Sequence, residues 1–361
     1  MNLLNETISK ITPSDKVAIG KAWKHIDNLT KPLGSLGKLE EIAARYAGIT
    51  GQVSNKVNKK NIIVMCSDNG VCEEGVSSAD QIITEVMTNG IPEMKTGVGV
   101  LASFANADLT VVDIGVIGDI TNPKVINKKV NKGTANMCKG PAMTREEAIK
   151  AIEVGIEIAD KLCKDGYDLF GTGEMGIGNT STSATVISAL LNIDIEELVG
   201  KGVGLTQEQF EGKKRVLKKA LEINKPDKED VIDVLSKVGG FDIAGMCGCF
   251  LAAANNKKAI VIDGVISCSA ALCAYMLKPE CKDYMFTSHK SDEKAVDSVF
   301  KHIGLEPILH LNMRLGEGSG CPLAFNVIEA ALHVVNNMAT FDGIGIDEES
   351  KNKLVDVREE K

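Results

Sequence analysis

Two glutamates in this chain stand almost alone among glycines, and they are the first pointer to chemistry. Glu174 lies in Gly171-Thr-Gly-Glu-Met-Gly176, and Glu317 in Arg314-Leu-Gly-Glu-Gly-Ser-Gly320. Glycine neighbours leave a carboxylate room to approach a ligand and give it little packing of its own. Partial burial raises a carboxyl pKa towards neutrality, where the group can serve as a general base. Each acid also has an ordinary reading, with Glu174 paired to a helix dipole and Glu317 paired to Arg314.

The glycine run itself has look-alikes. Gly171 to Gly176 matches the spacing G-x-G-x-x-G, and Gly173 to Thr180 matches a P-loop except that Asn179 stands where lysine should. A dinucleotide site needs an acid about twenty residues further on, at the end of a second strand. Asp194 is at that distance, but residues 193–199 read as a helix start. Without the lysine no cation faces a triphosphate, which argues against ATP hydrolysis. Two readings survive. Either the glycines admit an anion to a helix N-terminus furnished with Asn179, Thr180, Ser181 and Thr182, or they cap a closely packed helix.

The remaining candidates are weaker. His25, His289, His302, His310 and His333 show no metal-ligand spacing, and Cys247-x-Cys249 lacks a second pair, so no metal is expected. No G-x-S-x-G elbow occurs. Lys213 sits in a charged helix and reads as solvated surface. Asp263 either holds a sugar hydroxyl or caps a turn.

The elements that must position these residues follow from the hydrophobic pattern. Short apolar runs occur at 62–66, 109–114, 167–170, 259–262, 284–286 and 307–311, separated by segments of helical period. Strands alternating with helices predict a mostly parallel six-stranded sheet flanked by helices, an α/β fold. Thr12-Pro-Ser-Asp15 predicts a helix start running to about Leu29, and a second helix follows over 38–49. Thr144-Arg-Glu-Glu147 is a capping box for a third. Residues 116–143 lack a period and read as a functional loop. The expected division is an α/β domain over 61–321 and a small helical domain built from 1–60 and 322–361. The runs end in polar or glycine-rich sequence, as a site drawn from several strand-end loops would.

Composition bounds the rest. The chain has 361 residues and a formal charge of −8, with 44% apolar and 25% charged residues. This can fill a core, and the acidic balance argues against nucleic acid as a partner. No apolar run reaches the roughly 18 residues of a membrane span, and the first ten residues lack the apolar block of a signal peptide. The 10 cysteines are then expected as reduced thiols in a cytoplasm.

Taken together the motifs resemble one family. Lys31-Pro-Leu-Gly-Ser-Leu-Gly-Lys-Leu-Glu40, Gly133-Thr-Ala-Asn136, Pro141-Ala-Met-Thr-Arg-Glu-Glu147, Gly173-Glu-Met-Gly-Ile-Gly-Asn-Thr180, Gly239-Gly-Phe-Asp-Ile-Ala244 and Arg314-Leu-Gly-Glu-Gly-Ser-Gly320 are similar, in collinear order, to the nicotinate-nucleotide–dimethylbenzimidazole phosphoribosyltransferases. The resemblance implies a cofactor-independent, metal-free homodimer. It would transfer phosphoribose from nicotinate mononucleotide to a benzimidazole-type base in cobalamin nucleotide-loop assembly. It implies Glu317 as base and Glu174 as a second acid. Gly176, Ile177, Gly178, Asn179, Thr180 and Ser181 would line the phosphoribosyl pocket. Lys213, Asp263, Gly264 and Ser291 would stand near phosphate and ribose, and Arg314, Leu315 and Gly316 would border the substrates.

The chain departs from the family pattern on the acceptor side. Asn69 replaces a histidine, and Ser77-Ser-Ala-Asp-Gln81 replaces a commonly aromatic, proline-bearing stretch. Adenine, another benzimidazole or a phenolic therefore stand as alternative acceptors. A regulatory nucleotide-binding protein is a rival of another kind, though such a protein has no use for a base.

Overall fold

Eight consecutive buried residues, Lys60–Ser67, form the first strand and the middle of the sheet (β1). In the computed structural model, which describes residues 2–200, 204–345 and 355–358, five more strands join it. They are β2 (Asp108–Gly115), β3 (Ile126–Asn127), β4 (Leu169–Met175), β5 (Ala259–Ile262) and β6 (Met285–Thr287). The order is β3-β2-β1-β4-β5-β6 and every pairing is parallel. Strands buried on both faces need covering helices, so their sequences are near-continuous apolar runs rather than alternating ones. Helix Phe241–Asn255 is buried on nearly all sides against helix Arg145–Lys164 on one side of the sheet. Its almost uncharged sequence is what such a position requires.

The strand order reverses direction between β1 and β4. In an open parallel sheet this leaves a crevice beyond the carboxyl ends of those two strands, where ligands bind. That places Ser67-Asp-Asn69 and Glu174 to Gly178 side by side there, with Asn69 Nδ2 donating to the Ile177 carbonyl at 3.4 Å.

Several expectations change in detail. The apolar run at 307–311 is not a strand. Pro307 has no N–H, and the Ile308 and Leu309 amides instead donate to the Ser288 carbonyl, leaving a single bridge between His289 and Leu309. The sixth strand is β3, two residues inside the aperiodic 116–143 loop, too short to show a period. The helix expected from Thr12 starts at Lys16 and ends at Asp27, because the Asp15 carboxylate accepts from the Val17 and Ala18 amides and is the cap. A further helix, Leu3–Lys10, is capped by Asn2. The capping box at Thr144 and Glu147 forms as expected.

Both ends of the chain meet. Thr30 N donates to Ala339 O at 2.9 Å and Phe341 N to Asn28 O at 2.8 Å. Yet helix Leu3–Lys10 abuts helix Arg145–Lys164 through Leu4 N and Glu153. Helix Cys321–Asn337 starts beneath the sheet, with Cys321 Sγ donating to carbonyls of Thr172 and Val261. The buried apolar residues run without a break from these helices into the sheet. The charged tail falls largely outside the described residues. All 10 cysteines are free thiols and eight are buried.

Candidate active site

The first difference from the sequence reading decides the site. Gly171 to Met175 do not form a loop; they continue β4, so Glu174 is a strand residue, opposite Met65 in the register with β1. Glycine at 173 is needed because the loop carrying Glu317 lies directly on it. A Cβ there would overlap the Glu317 carbonyl, and one at Gly318 would come within 3.0 Å of the Gly173 Cα. The two glycine-flanked acids are thus stacked on one another.

Glu317 has φ +62°, between Gly316 at +85° and Gly318 at +93°. Its amide donates to Glu174 Oε1 at 3.2 Å. One of its own oxygens accepts from the Val98 amide at 3.0 Å, in the first turn of helix Gly97–Phe104. A helix N-terminus favours the charged form of a carboxylate. The alternative partner, Arg314, pairs with Asp292 at 3.2 Å instead. Glu317 is 9% exposed and still borders a cavity of about 330 Å³.

Glu174 also borders this cavity but in a different electrostatic setting. Burial pushes its carboxyl up to about 8, the nearby Asp242 carboxylate adds to the rise, and the Asn179 amide group opposes it. Asn179 Nδ2 donates both to Glu174 and, at 3.2 Å, to Asp242 Oδ2. Asp242 is itself pushed up to about 6 by burial. At neutral pH Glu174 therefore holds its proton, whereas the Glu317 carboxylate meets a helix N-terminus instead of a second buried acid. Glu174 meets the start of helix Asn179–Leu191 through the Asn179 side chain rather than through the helix's free backbone amides.

The anion-cradle reading gains a cation. Lys213, read from sequence as solvated surface, is 2% exposed; its Nζ donates to Thr180 Oγ1 at 3.1 Å. Burial pushes this ammonium down to about 8, with the Glu293 carboxylate resisting. Thr180 lies in the first turn of helix Asn179–Leu191, whose N-cap is Gly178, and it borders the cavity together with Gly264, Ser291 and Glu293. Ser181 is fully buried and its hydroxyl finds no partner. Gly176 is a glycine for the protein's own reasons, since a Cβ would overlap the Ser67 carbonyl. The Ile177 amide is taken by Thr84 Oγ1 at 3.1 Å. Asp263 does not border the cavity, because its oxygens accept from the Gly318 and Gly320 amides at 3.2 and 2.7 Å.

The same cavity also has apolar walls in Ile83, Met87, Met175, Leu315, Val265 and Ile266, with Ser77 to Ala79 beside them. Sequence reasoning gave no site role to Ile83, Met87 or Asp242. Asp242 had a signal, in Gly239-Gly-Phe-Asp242; the aliphatic wall residues had none, because a core and a pocket wall use the same side chains.

A parallel sheet whose strand-end cavity is bordered by a helix N-terminus, by aliphatic side chains and by the Glu317 carboxylate has the parts needed by a transferase of phosphorylated sugars to an apolar ring. A family model described as phosphoribosyltransferase matches residues 11–346. The nicotinate-nucleotide–dimethylbenzimidazole phosphoribosyltransferase of Clostridium tetani is 58% identical over 359 residues, 99% of each chain. That of Ruminiclostridium cellulolyticum is 52% identical over 343 residues, covering 95% of this chain and 97% of its own. The crystal structure of the Thermus thermophilus enzyme of that name superposes with a TM-score of 0.87 at 33% identity, covering 92% of this chain and 99% of that one. The chain belongs to the nicotinate-nucleotide–dimethylbenzimidazole phosphoribosyltransferase family.

Proposed function

We propose the following division of labour for the family's reaction, the transfer of phosphoribose from nicotinate mononucleotide to 5,6-dimethylbenzimidazole. The donor phosphate lies at the Lys213–Thr180 end, against the first turn of helix Asn179–Leu191 and beside Gly264. The acceptor ring lies in the slot of Ile83, Met87, Met175 and Leu315. A nitrogen of the acceptor attacks C1′ of the ribose on the face opposite nicotinate. The C1′–N bond electrons leave with nicotinate, whose pyridinium becomes a neutral pyridine, and the β-riboside becomes an α-riboside. The positive charge gained by the acceptor ring is removed when Glu317 takes the proton from its other nitrogen. Glu174, holding its own proton, stands beneath as a neutral hydrogen-bonding partner of the Glu317 amide.

The observation that carries this reading is the placement of Glu317, an acid held by the Val98 amide and by Glu174 on the wall of the cavity that Thr180 and the aliphatic side chains share. The direct test is nicotinate release, followed with and without acceptor. Release that depends on 5,6-dimethylbenzimidazole supports the transferase reading; binding of the donor with no release under any acceptor favours the regulatory rival.

The slot also bears on which acceptor is used. Its walls are mostly aliphatic and thioether side chains, which suit two ring methyls better than the polar edge of adenine. When 5,6-dimethylbenzimidazole, adenine and p-cresol are offered together, the benzimidazole product is expected to dominate by about tenfold or more over the adenine product. A dominant adenine or cresol product would reassign the acceptor.

The donor end has its own test. A Cβ at Gly264 meets nothing within 4 Å, and the residue has ordinary negative φ, so a valine fits the fold but narrows the phosphate end. Gly264→Val is expected to raise KM for nicotinate mononucleotide about tenfold with an unchanged melting temperature. Normal donor affinity would place the phosphate elsewhere.

Further parts of the reading concern the whole molecule. The exposed Ile82, Val86, Val100 and Phe104, on two helices beside the cavity, support a homodimer. The pairing of Thr30 and Phe341 with the opposite chain end supports a small domain formed from residues 1–60 and 322–361. None of the described helices is long and apolar enough to cross a membrane, and the ten free thiols fit a reducing cytoplasm.

A further inference from the structure

Asp263 is a buried carboxylate close to Glu317 in the fold that takes no part in the transfer itself. It follows β5 directly and is 3% exposed. Its own backbone is fixed, since its amide donates to Ser267 Oγ at 3.0 Å and its carbonyl accepts from Ser288 Oγ at 3.3 Å. His289 Nδ1 stands 4.0 Å from Oδ1. The carboxylate oxygens accept from the Gly320 and Gly318 amides at 2.7 and 3.2 Å, two donors that follow Glu317 closely in the chain.

The loop needs such an anchor. Gly316, Glu317 and Gly318 all have φ in the left-handed region, which turns successive amides inwards into a concavity of the kind that closes round an anion. For the glycines this is free, but for Glu317 it costs about 1 kcal/mol or more and persists only where the surroundings impose it. Here the anions are the protein's own, Glu174 from the end of β4 and Asp263 from the end of β5. They grip Glu317 from its own amide and from two that follow.

We infer that Asp263 is a positioning residue: through the Gly318 and Gly320 amides it holds the left-handed turn that aims Glu317 at the incoming base. This rests on the reading of Glu317 as the base. Asp263→Asn replaces one acceptor oxygen with an NH₂ facing an N–H, so two donors oppose each other and the turn relaxes. A displacement of about 1 Å can cost on the order of 10²-fold in rate. Asp263→Asn is therefore expected to lower kcat about tenfold to a hundredfold, with KM for nicotinate mononucleotide within about twofold.

The deciding experiment is a double-mutant cycle with Glu317→Gln, with circular dichroism recorded on each variant. Because Asp263 acts through Glu317, Asp263→Asn is expected to lower kcat no further in the Glu317→Gln background. Asp263→Glu, which keeps the charge and moves it by one methylene, is measured in parallel so that misfolding of one variant leaves the other to decide. Equal losses in both backgrounds, or a raised KM with kcat retained, would overturn the positioning role alone. Full turnover by Glu317→Gln would overturn the base reading and this inference with it.

Discussion

Glu317→Gln is expected to lower kcat by about 10²-fold or more while donor affinity stays within about twofold. The amide is nearly isosteric and its oxygen can still accept from the Val98 amide, so the turn keeps its shape. What is lost is the ability to take a proton. Attack at C1′ then leaves a positive ring with no acceptor for its N–H, and the barrier rises by the general-base contribution. Lys213 and Thr180, the proposed donor-phosphate site, bond to each other and share no hydrogen bond with Glu317. Steady-state nicotinate release at saturating acceptor, combined with donor titration, separates the two effects. Unchanged turnover would remove Glu317 as the base, and a loss confined to KM would make it a binding group.

The second large effect concerns stability rather than rate. Glu174 is pushed up to about 8 in the native state, from an ordinary value of 4.5. Between those limits the native protein keeps a proton that the unfolded chain releases. Stability must therefore fall as pH rises from about 4.5 to about 8 and level off above, the reverse of a salt-bridged carboxylate. Asp242, pushed up to about 6, adds a contribution of the same sign in the lower part of that window. At about 1.4 kcal/mol per unit, the Glu174 contribution is on the order of a few kcal/mol. Glu174→Gln removes the ionisation and should flatten the curve. It is expected to gain several kcal/mol on the parent at pH 8 relative to pH 5, read from urea unfolding at each pH. Parallel profiles for parent and variant would show that Glu174 does not carry the proton. The amide resembles the protonated acid, and a turn of the Asn179 amide gives its NH₂ an acceptor, so the variant should also lose much less turnover at pH 7 than Glu317→Gln.

Both acids were legible in sequence for one reason and work for another. Isolation among glycines marked them, yet the glycines at 173 and 318 serve mainly to let strand and loop stack, which then sets the acids in different fields. Lys213 shows the reverse. Its charged neighbours Lys214 and Arg215 made it look solvated, and only the packing of helix Gln207–Asn224 buries it against Thr180. Periodicity failed where an element was too short to carry one, as in β3, and where an apolar run held Pro307.

By itself the sequence determined the α/β class, the parallel sheet, most strand and helix positions, the family and the two acids. These are local or collinear properties, written in hydrophobic period, capping residues and motif order. Tertiary structure alone decided that Glu174 is buried beside Asp242 while Glu317 meets a helix N-terminus, which residues wall the cavity, and that Asp263 grips a loop rather than facing it. Those depend on burial and on approaches between segments far apart in the chain, such as Asp263 with Gly318 and Gly320 or Glu174 with Asp242. A field or a contact of that kind belongs to no single stretch of residues, so no stretch could have declared it.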